Sequence, residues 1–382
     1  MPDRSLQPHL RHFGPALVVL ASLGIAEAAP PAGKPVFIHV QGLAPTSVGQ
    51  NGFIVAGDFT EGGAFQWMPT SGVTLVGGGL GTGYISRDGK AMAGTVIDLN
   101  KIQQAARWEG GRSWRTLGPL VPNAVPCQQS LSSATGTSGD GRVIVGGGWY
   151  GTNPASPCDL STAFRWEEST GYVLLPSQDG DFTLAQAVSA DGHVVVGFDT
   201  ALNGLRRGVK WVDGKHELIQ GPIGQVVSAW AVNRDGSLIA GSGCTVDLPN
   251  QPPSAWSWTA AGGVKCHTAE PPRWVPWIFG NSINYNNYIR AVSDDGRVMG
   301  GDIEFDTAQG EEESVIWFDG EPVYLRDYLR ANGYPDAFED QLNTGKITAV
   351  SADGRVLAGH NAGIAGPNRW GFIVILPDLG AK

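Results

Sequence analysis

Two kinds of side chain in this chain could do chemistry. The first is carboxylate: Asp58, Asp199, Asp302, Glu304, Asp306 and the run Glu311-Glu312-Glu313. Asp58 and Asp302 each follow directly on a recurring glycine, a placement that would rim a central channel. Carboxylates paired across such a mouth could cleave a glycosidic bond or hold Ca²⁺. The plainer reading is a set of solvated acidic loops. The second kind is aromatic: Trp149, Tyr150, Trp274, Trp277, Tyr285 and Tyr288 lie among Asn, Pro and Gly in two long insertions. Flat rings stack on the apolar faces of sugars or peptides while neighbouring amides hydrogen-bond. The plainer reading here is small cores beneath long loops. No nucleophile constellation accompanies them. His193, His216, His267 and His360 stand singly, and the triplets Gly77-Gly78-Gly79 and Gly146-Gly147-Gly148 open no helix, so they are not phosphate loops. No metal site and no cofactor is expected.

The elements that would position these groups are repeats. Seven times a Gly falls six residues after an Asp-Gly or Asn-Gly pair. The pairs begin at Asn51, Asp88, Asp140, Asp191, Asp235, Asp295 and Asp353, and the closing glycines are Gly57, Gly94, Gly146, Gly197, Gly241, Gly301 and Gly359. A spacing of roughly 37 to 60 residues marks an array of one structural unit. Asp-Gly closes a tight hairpin because Gly accepts positive φ. Ser86, Ser138, Ser189, Ser293 and Ser351 sit two residues before the Asp, where a hydroxyl can bond the turn backbone. The following strands, such as Val143-Ile144-Val145, are apolar without alternation and so are expected to be buried on both faces.

A third strand in each unit ends in Trp: Trp67, Trp108, Trp166, Trp211, Trp258 and Trp317, with Val374 in the last copy. These read as packing residues between units. A Gly and a fourth short strand follow. Four strands per unit and seven units predict an all-β, seven-bladed β-propeller. A parallel β-helix would favour shorter rungs without paired hairpins. The seventh unit lacks a fourth strand, and Val36–Val40 forms a surplus one before the first hairpin, so residues 36–40 are expected to complete the last blade and lock the ring.

The unit Ala-Val-Ser-x-Asp-Gly, then Gly, then Ala-Phe-x-Trp resembles the HAF family of bacterial extracellular repeats. Tyr324–Leu329, Ala349–Gly354 and Gly371-Phe372 also resemble how chains of that family end. The likeness covers roughly residues 40 to 377 and implies a secreted β-rich repeat protein, with little said of chemistry. The first unit departs from the pattern at Gly49 and Asn51, although Asn-Gly closes a hairpin as well as Asp-Gly does.

Residues 1–28 read as a signal peptide: Arg4 and Arg11, an apolar stretch from Phe13 to Ala26, then Ala26-Glu27-Ala28. Residues 29–35 would be a short linker and 36–382 one domain. No second apolar run is long enough to span a membrane. The formal net charge is −10, which disfavours nucleic-acid binding. Four cysteines fit an oxidising compartment. Of three possible connectivities, unit membership favours Cys127–Cys158 and Cys244–Cys266, each worth roughly 3–4 kcal/mol through loop closure.

In a four-stranded meander the Asp-Gly turns and the turns after each Trp share one face, which is uniformly short. The other face takes every insertion, notably 118–133, 147–162, 242–254 and 267–289. The expected function is a monomeric, secreted, periplasmic or surface-held module without catalysis. It would recognise an extracellular glycan or protein through that long-loop face. An extracellular hydrolase or lyase acting on a polymer is the alternative, and a structural surface protein is a third.

Overall fold

The computed structural model describes residues 33–378 except 50–51, 53, 60–62, 78–82, 98–101, 112, 122–124, 127–131, 152–159, 180–181, 222–223, 245–253, 273–283, 307–310, 339–343 and 362–369. The signal-peptide reading, the start of the linker, Cys127, Cys158, Trp274 and Trp277 therefore lie outside the described residues.

The fold is all-β and built of four-stranded antiparallel sheets. Sheet 1 runs in order Leu43–Val48, Val55–Phe59, Ala64–Met68 and Gly72–Leu75. Sheet 2 repeats this with Tyr84–Ile85, Met92–Ile97, Gln103–Trp108 and Trp114–Thr116. Sheet 3 takes Ser132–Thr137, Ile144–Gly151, Leu160–Glu167 and Gly171–Leu174, with a short extra strand, Val125–Pro126, on its second strand. Sheet 4 is Thr183–Val188, Val194–Thr200, Arg206–Val212 and Lys215–Leu218. Sheets 5 and 6 start at Ser228 and Tyr285 and touch through one bridge, Ser242 to Tyr288. Sheet 7 consists of Lys346–Val350, Val356–His360 and Trp370–Ile375, and Val36–Gln41 is its outer strand, pairing Val36 with Ile375 and Gln41 with Trp370. The helix Leu325–Ala331 follows sheet 6 and ends at Asn332-Gly333, a pair that favours a helix stop.

Each hydrophobic cluster joins two consecutive sheets. Val76 of sheet 1 packs with Met92 and Trp108 of sheet 2; Ala105 with Ile144 and Trp166 of sheet 3; Val145 with Val195 and Trp211 of sheet 4. The series continues with Val196 and Trp256, Ala240 and Trp317, and Ile316 and Phe372. The remaining cluster puts Ala358 and Ile373 of sheet 7 against Val55, Phe65 and Trp67 of sheet 1. The repeat tryptophans are thus packing residues, buried at 67, 108, 166, 211 and 317. Trp258 is half-buried, with the Lys210 ammonium 4.3 Å over its ring.

The repeat signature has a local cause. In the fourth unit the buried Ser189 hydroxyl donates to Asp191 Oδ1 at 2.5 Å and accepts from Val194 N–H at 3.0 Å. Asp191 Oδ1 also accepts from His193 N–H at 3.1 Å, and Gly192 turns the chain at φ 80°. Units 2, 3, 6 and 7 repeat this bonding, while Asn233 replaces Ser in unit 5 and bonds Leu238 N–H. The residue between Ser and Asp links each turn to the next. Arg87 N–H donates to Gly139 O, Gly139 N–H to Ala190 O, and Ala190 N–H to Arg234 O, each at 2.9 Å. Asn233 Nδ2 then donates to Asp294 O, and Asp294 N–H to Ala352 O.

The closing glycine answers a feature not foreseen from sequence. In six units the first strand carries a β-bulge opposite that glycine; in the fourth, Ala185 pairs with Gly197 and Ala187 with Val196, leaving Gln186 extra. The bulge drives the Leu184 carbonyl so close that a Cβ on Gly197 would stand 2.0 Å from its oxygen. Three bulge residues are threonines whose hydroxyls cross to the next sheet: Thr46 to Gly83 O, Thr135 to Ala185 O and Thr348 to Pro45 O. Gly197→Ala should therefore cost about 3 kcal/mol or more, since backbone must move. Gly171→Ala, whose φ is 69° with open space around it, should cost about 1 kcal/mol. Urea denaturation of the two variants checks the difference.

Candidate functional site

The aromatic residues foreseen as a binding surface divide. Trp149 lies on the second strand of sheet 3, 40% exposed, with its ring 5.4 Å from Phe182. Phe182 stacks on Phe198 at 5.7 Å, and the Arg206 guanidinium covers Phe198 at 4.4 Å. Thr200 N–H donates to the Phe182 carbonyl, so the tight turn that follows, 201–205, stands beside this row. That turn exposes Leu202 (87%) and Leu205 (61%). Apolar side chains this exposed on a turn closed by Ala201 N–H to Leu205 O have no folding role on view. The chain thus presents Trp149, Leu202 and Leu205 to solvent at the loop ends of sheets 3 and 4, with Phe182 half-buried between strands. Of these four, sequence reasoning named only Trp149. The available signal was two leucines inside an Ala-Leu-Asn-Gly-Leu turn. Tyr150, by contrast, is half-buried against the core shared by sheets 2 and 3.

Tyr285 and Tyr288 occupy the first strand of sheet 6. The Tyr285 hydroxyl donates to Glu270 at 3.1 Å. Tyr288 is the cross-strand partner of Asp302, and the Arg290 guanidinium lies 4.5 Å over its ring and 5.4 Å from Trp230 of sheet 5. Burial pushes both phenols above their ordinary range, so they are neutral hydroxyls at physiological pH. Two of the predicted residues, Tyr288 and Asp302, are thereby brought together, with Trp230 and Arg290 added.

The carboxylates are turned inward. Asp302 is fully buried and gripped by both Nε and Nη2 of Arg290. Asp58 is buried in sheet 1. Asp302 lies within its strand opposite Tyr288 and Ser314, and Asp58 within its own opposite Ala44 and Ala64. Asp199 holds Arg207 through Nε at 2.7 Å and Nη2 at 2.8 Å and meets His216 Nε2 at 2.9 Å, while Asp179 takes the remaining Arg207 nitrogen. Glu313 accepts from Arg326 and from Thr344, both at 2.8 Å. A carboxylate closed on an arginine in this way has its oxygens already engaged in charge-assisted hydrogen bonds. Among the described residues no group of three His, Cys, Asp or Glu is placed to hold a metal ion. The loop-side cysteines Cys244 and Cys266 form the expected disulfide, stapling sheet 5 across a separation of 22 residues.

Glu312 is the exception. It stands directly opposite Glu304 across two strands, where like charges repel. Lys346 Nζ lies 3.4 Å from its Oε1, and its Oε2 is buried without a hydrogen bond. Burial, and then the charge of Asp302, push this carboxyl up to about 7.

No family model matches the chain, and no curated protein matches it. Solved structures do. TolB from Acinetobacter baumannii is 13% identical, with a TM-score of 0.41, over 58% of this chain and 52% of that one. A structure assigned as TolB from Agrobacterium tumefaciens is 14% identical, with a TM-score of 0.43, over 61% of this chain and 88% of that one. The first match thus spans about half of that protein's length, and the likeness concerns the fold alone. Among the described residues no helix is long and apolar enough to cross a membrane.

Because the Glu312 carboxyl binds its proton more tightly folded than unfolded, its contribution is full below its ordinary value of 4.5 and is lost as pH rises through about 7. Glu312→Gln should keep its stability across that window. Relative to wild type it should gain roughly 1–3 kcal/mol between pH 5 and pH 8, read from urea midpoints.

Proposed function

We propose that this chain is an exported, HAF-type repeat protein whose seven sheets form a closed β-propeller, and that it binds a protein partner without catalysing a reaction. The pairing of Val36–Gln41 with Trp370–Ile375 and the core shared by sheets 7 and 1 support closure. Closure removes two sheet edges that would otherwise template aggregation. Removing residues 33–41 should therefore lower the melting temperature by roughly 10 °C or more; an unchanged melt would refute closure.

The observation that carries the binding reading is the exposure of Trp149, Leu202 and Leu205, with Phe182 half-buried against the Trp149 ring. Aromatic rings alone would suit a glycan. Two leucines exposed beside them suit an apolar protein surface better, because an aliphatic side chain offers a sugar neither a flat face nor a hydrogen bond. Apolar surface exposed in patches marks interaction sites. A polymer hydrolase is disfavoured by the arginine-bound state of Asp302, Asp199 and Glu313.

The test is retention of cell-envelope proteins on immobilised protein, wild type against the triple variant Trp149→Ala, Leu202→Ala, Leu205→Ala. All three side chains are exposed, so the variant should melt as wild type does and lose at least tenfold of the retained partner. Equal retention by both proteins would sink the reading, as would turnover of a polymer abolished by Asp302→Asn in a folded variant.

A further inference from the structure

The face of short hairpins carries a depression of about 290 Å³ lined by Arg87, Asp88, Gly139, Ala190, Asp191, Arg234 and Asp235. Its lining comes from the turns of sheets 2 to 5, and the hand-to-hand backbone bonds between Arg87, Gly139, Ala190 and Arg234 supply its rim. Two arginines converge on it. Arg87 reaches across to Asp294 of sheet 6 and is held there through both guanidinium nitrogens. The Arg234 main-chain N–H also donates to that carboxylate, at 3.2 Å. The Arg234 side chain is different: it is exposed and has no hydrogen bond or ion pair among the described residues. Gly139 and Ala190, at the equivalent turn positions, leave the space beside it open.

Around this cation stand three turn carboxylates. Each uses its Oδ1 on its own hairpin: Asp88 with Lys90 N–H, Asp191 with His193 N–H and Asp235 with Ser237 N–H. Those bonds fix the carboxylates in place rather than leaving them to swing onto Arg234. The depression therefore offers one uncommitted guanidinium and a surrounding set of fixed acceptors. That pattern repels a dianion such as a phosphate monoester. It matches a small molecule carrying one carboxylate and one ammonium a few bonds apart. A planar guanidinium takes a carboxylate in bidentate fashion, and charge-assisted bonds of this kind give orientation as well as affinity.

We propose that this depression is a binding site for a small zwitterion of the amino-acid or short-peptide class, its carboxylate on Arg234 and its ammonium on Asp191 and Asp235. The site is separate from the Trp149 and Leu202 surface and uses none of its residues. Loss of one leaves the other standing.

The probe is L-alanyl-L-alanine, titrated into the full-length protein and followed by calorimetry, with its N-acetyl and C-terminal amide forms as comparisons. Saturable binding to the unmodified dipeptide is expected, weakened roughly tenfold by capping either end. Arg234→Ala should weaken the dipeptide by roughly the same factor. Asp191→Asn with Asp235→Asn should weaken the dipeptide while leaving the N-acetyl form unaffected. Since the Arg234 side chain bonds nothing in the fold, the variant should melt as wild type, and Arg234→Lys provides a second cationic comparison that should retain part of the affinity. Absence of saturable binding by the wild type would overturn the assignment. So would equal affinity of wild type and a folded Arg234→Ala variant, or indifference to capping.

Discussion

Everything in this molecule is arranged around one close approach of backbone to backbone. In six units a bulge in the first strand drives a carbonyl oxygen to about 2 Å from where a side chain on the second strand would begin. Only glycine leaves that position empty. The bulge in turn aims one extra residue out of each first strand, and three of these are threonines that bond the neighbouring sheet. A contact inside one sheet thereby sets the junction between two. The hydrophobic clusters, each shared between consecutive sheets, follow from that spacing.

The parts of the fold legible in sequence are the parts with short-range causes. The Ser-x-Asp-Gly turn could be read because its hydrogen bonds run over two to five residues. The helix at Leu325–Ala331 could be read for the same reason, with its stop at Asn332-Gly333. The surplus strand at 36–40 was legible by counting strands per unit. The repeat tryptophans were legible as packing residues because they recur where a side chain must reach across. The glycine six residues after each Asp was visible, but its reason was not. A bulge is a property of a strand pair, and nothing in either strand alone spells it.

The candidate site was less legible, for a physical reason. Carboxylates advertise themselves in a sequence, while their partners are remote. Asp302 reads as a channel acid until Arg290, on the adjacent strand, is seen to close on it. Glu313 reads as part of an acidic run until Arg326 of the following helix reaches it. Exposure is likewise a tertiary property. Leu202 and Leu205 look like ordinary apolar residues of a hairpin, and only the folded turn shows them standing in solvent, just after Thr200, which bonds the Phe182 carbonyl.

The linking position between Ser and Asp has a consequence of its own. Each hairpin uses that residue through its main chain, and its side chain takes no part in the turn itself, although Arg87 and Asp294 bond one another across the surface. In the described units it is Arg87, Gly139, Ala190, Arg234, Asp294 and Ala352, a mixture of large and small, cationic, anionic and apolar. The repeat therefore holds a scaffold constant while leaving one letter per unit open to rewriting, and those letters meet at neighbouring points of one surface. Such an array behaves as a short combinatorial code: exchanging a few codons would recast the chemistry of that surface without a new core, a new turn or a new strand.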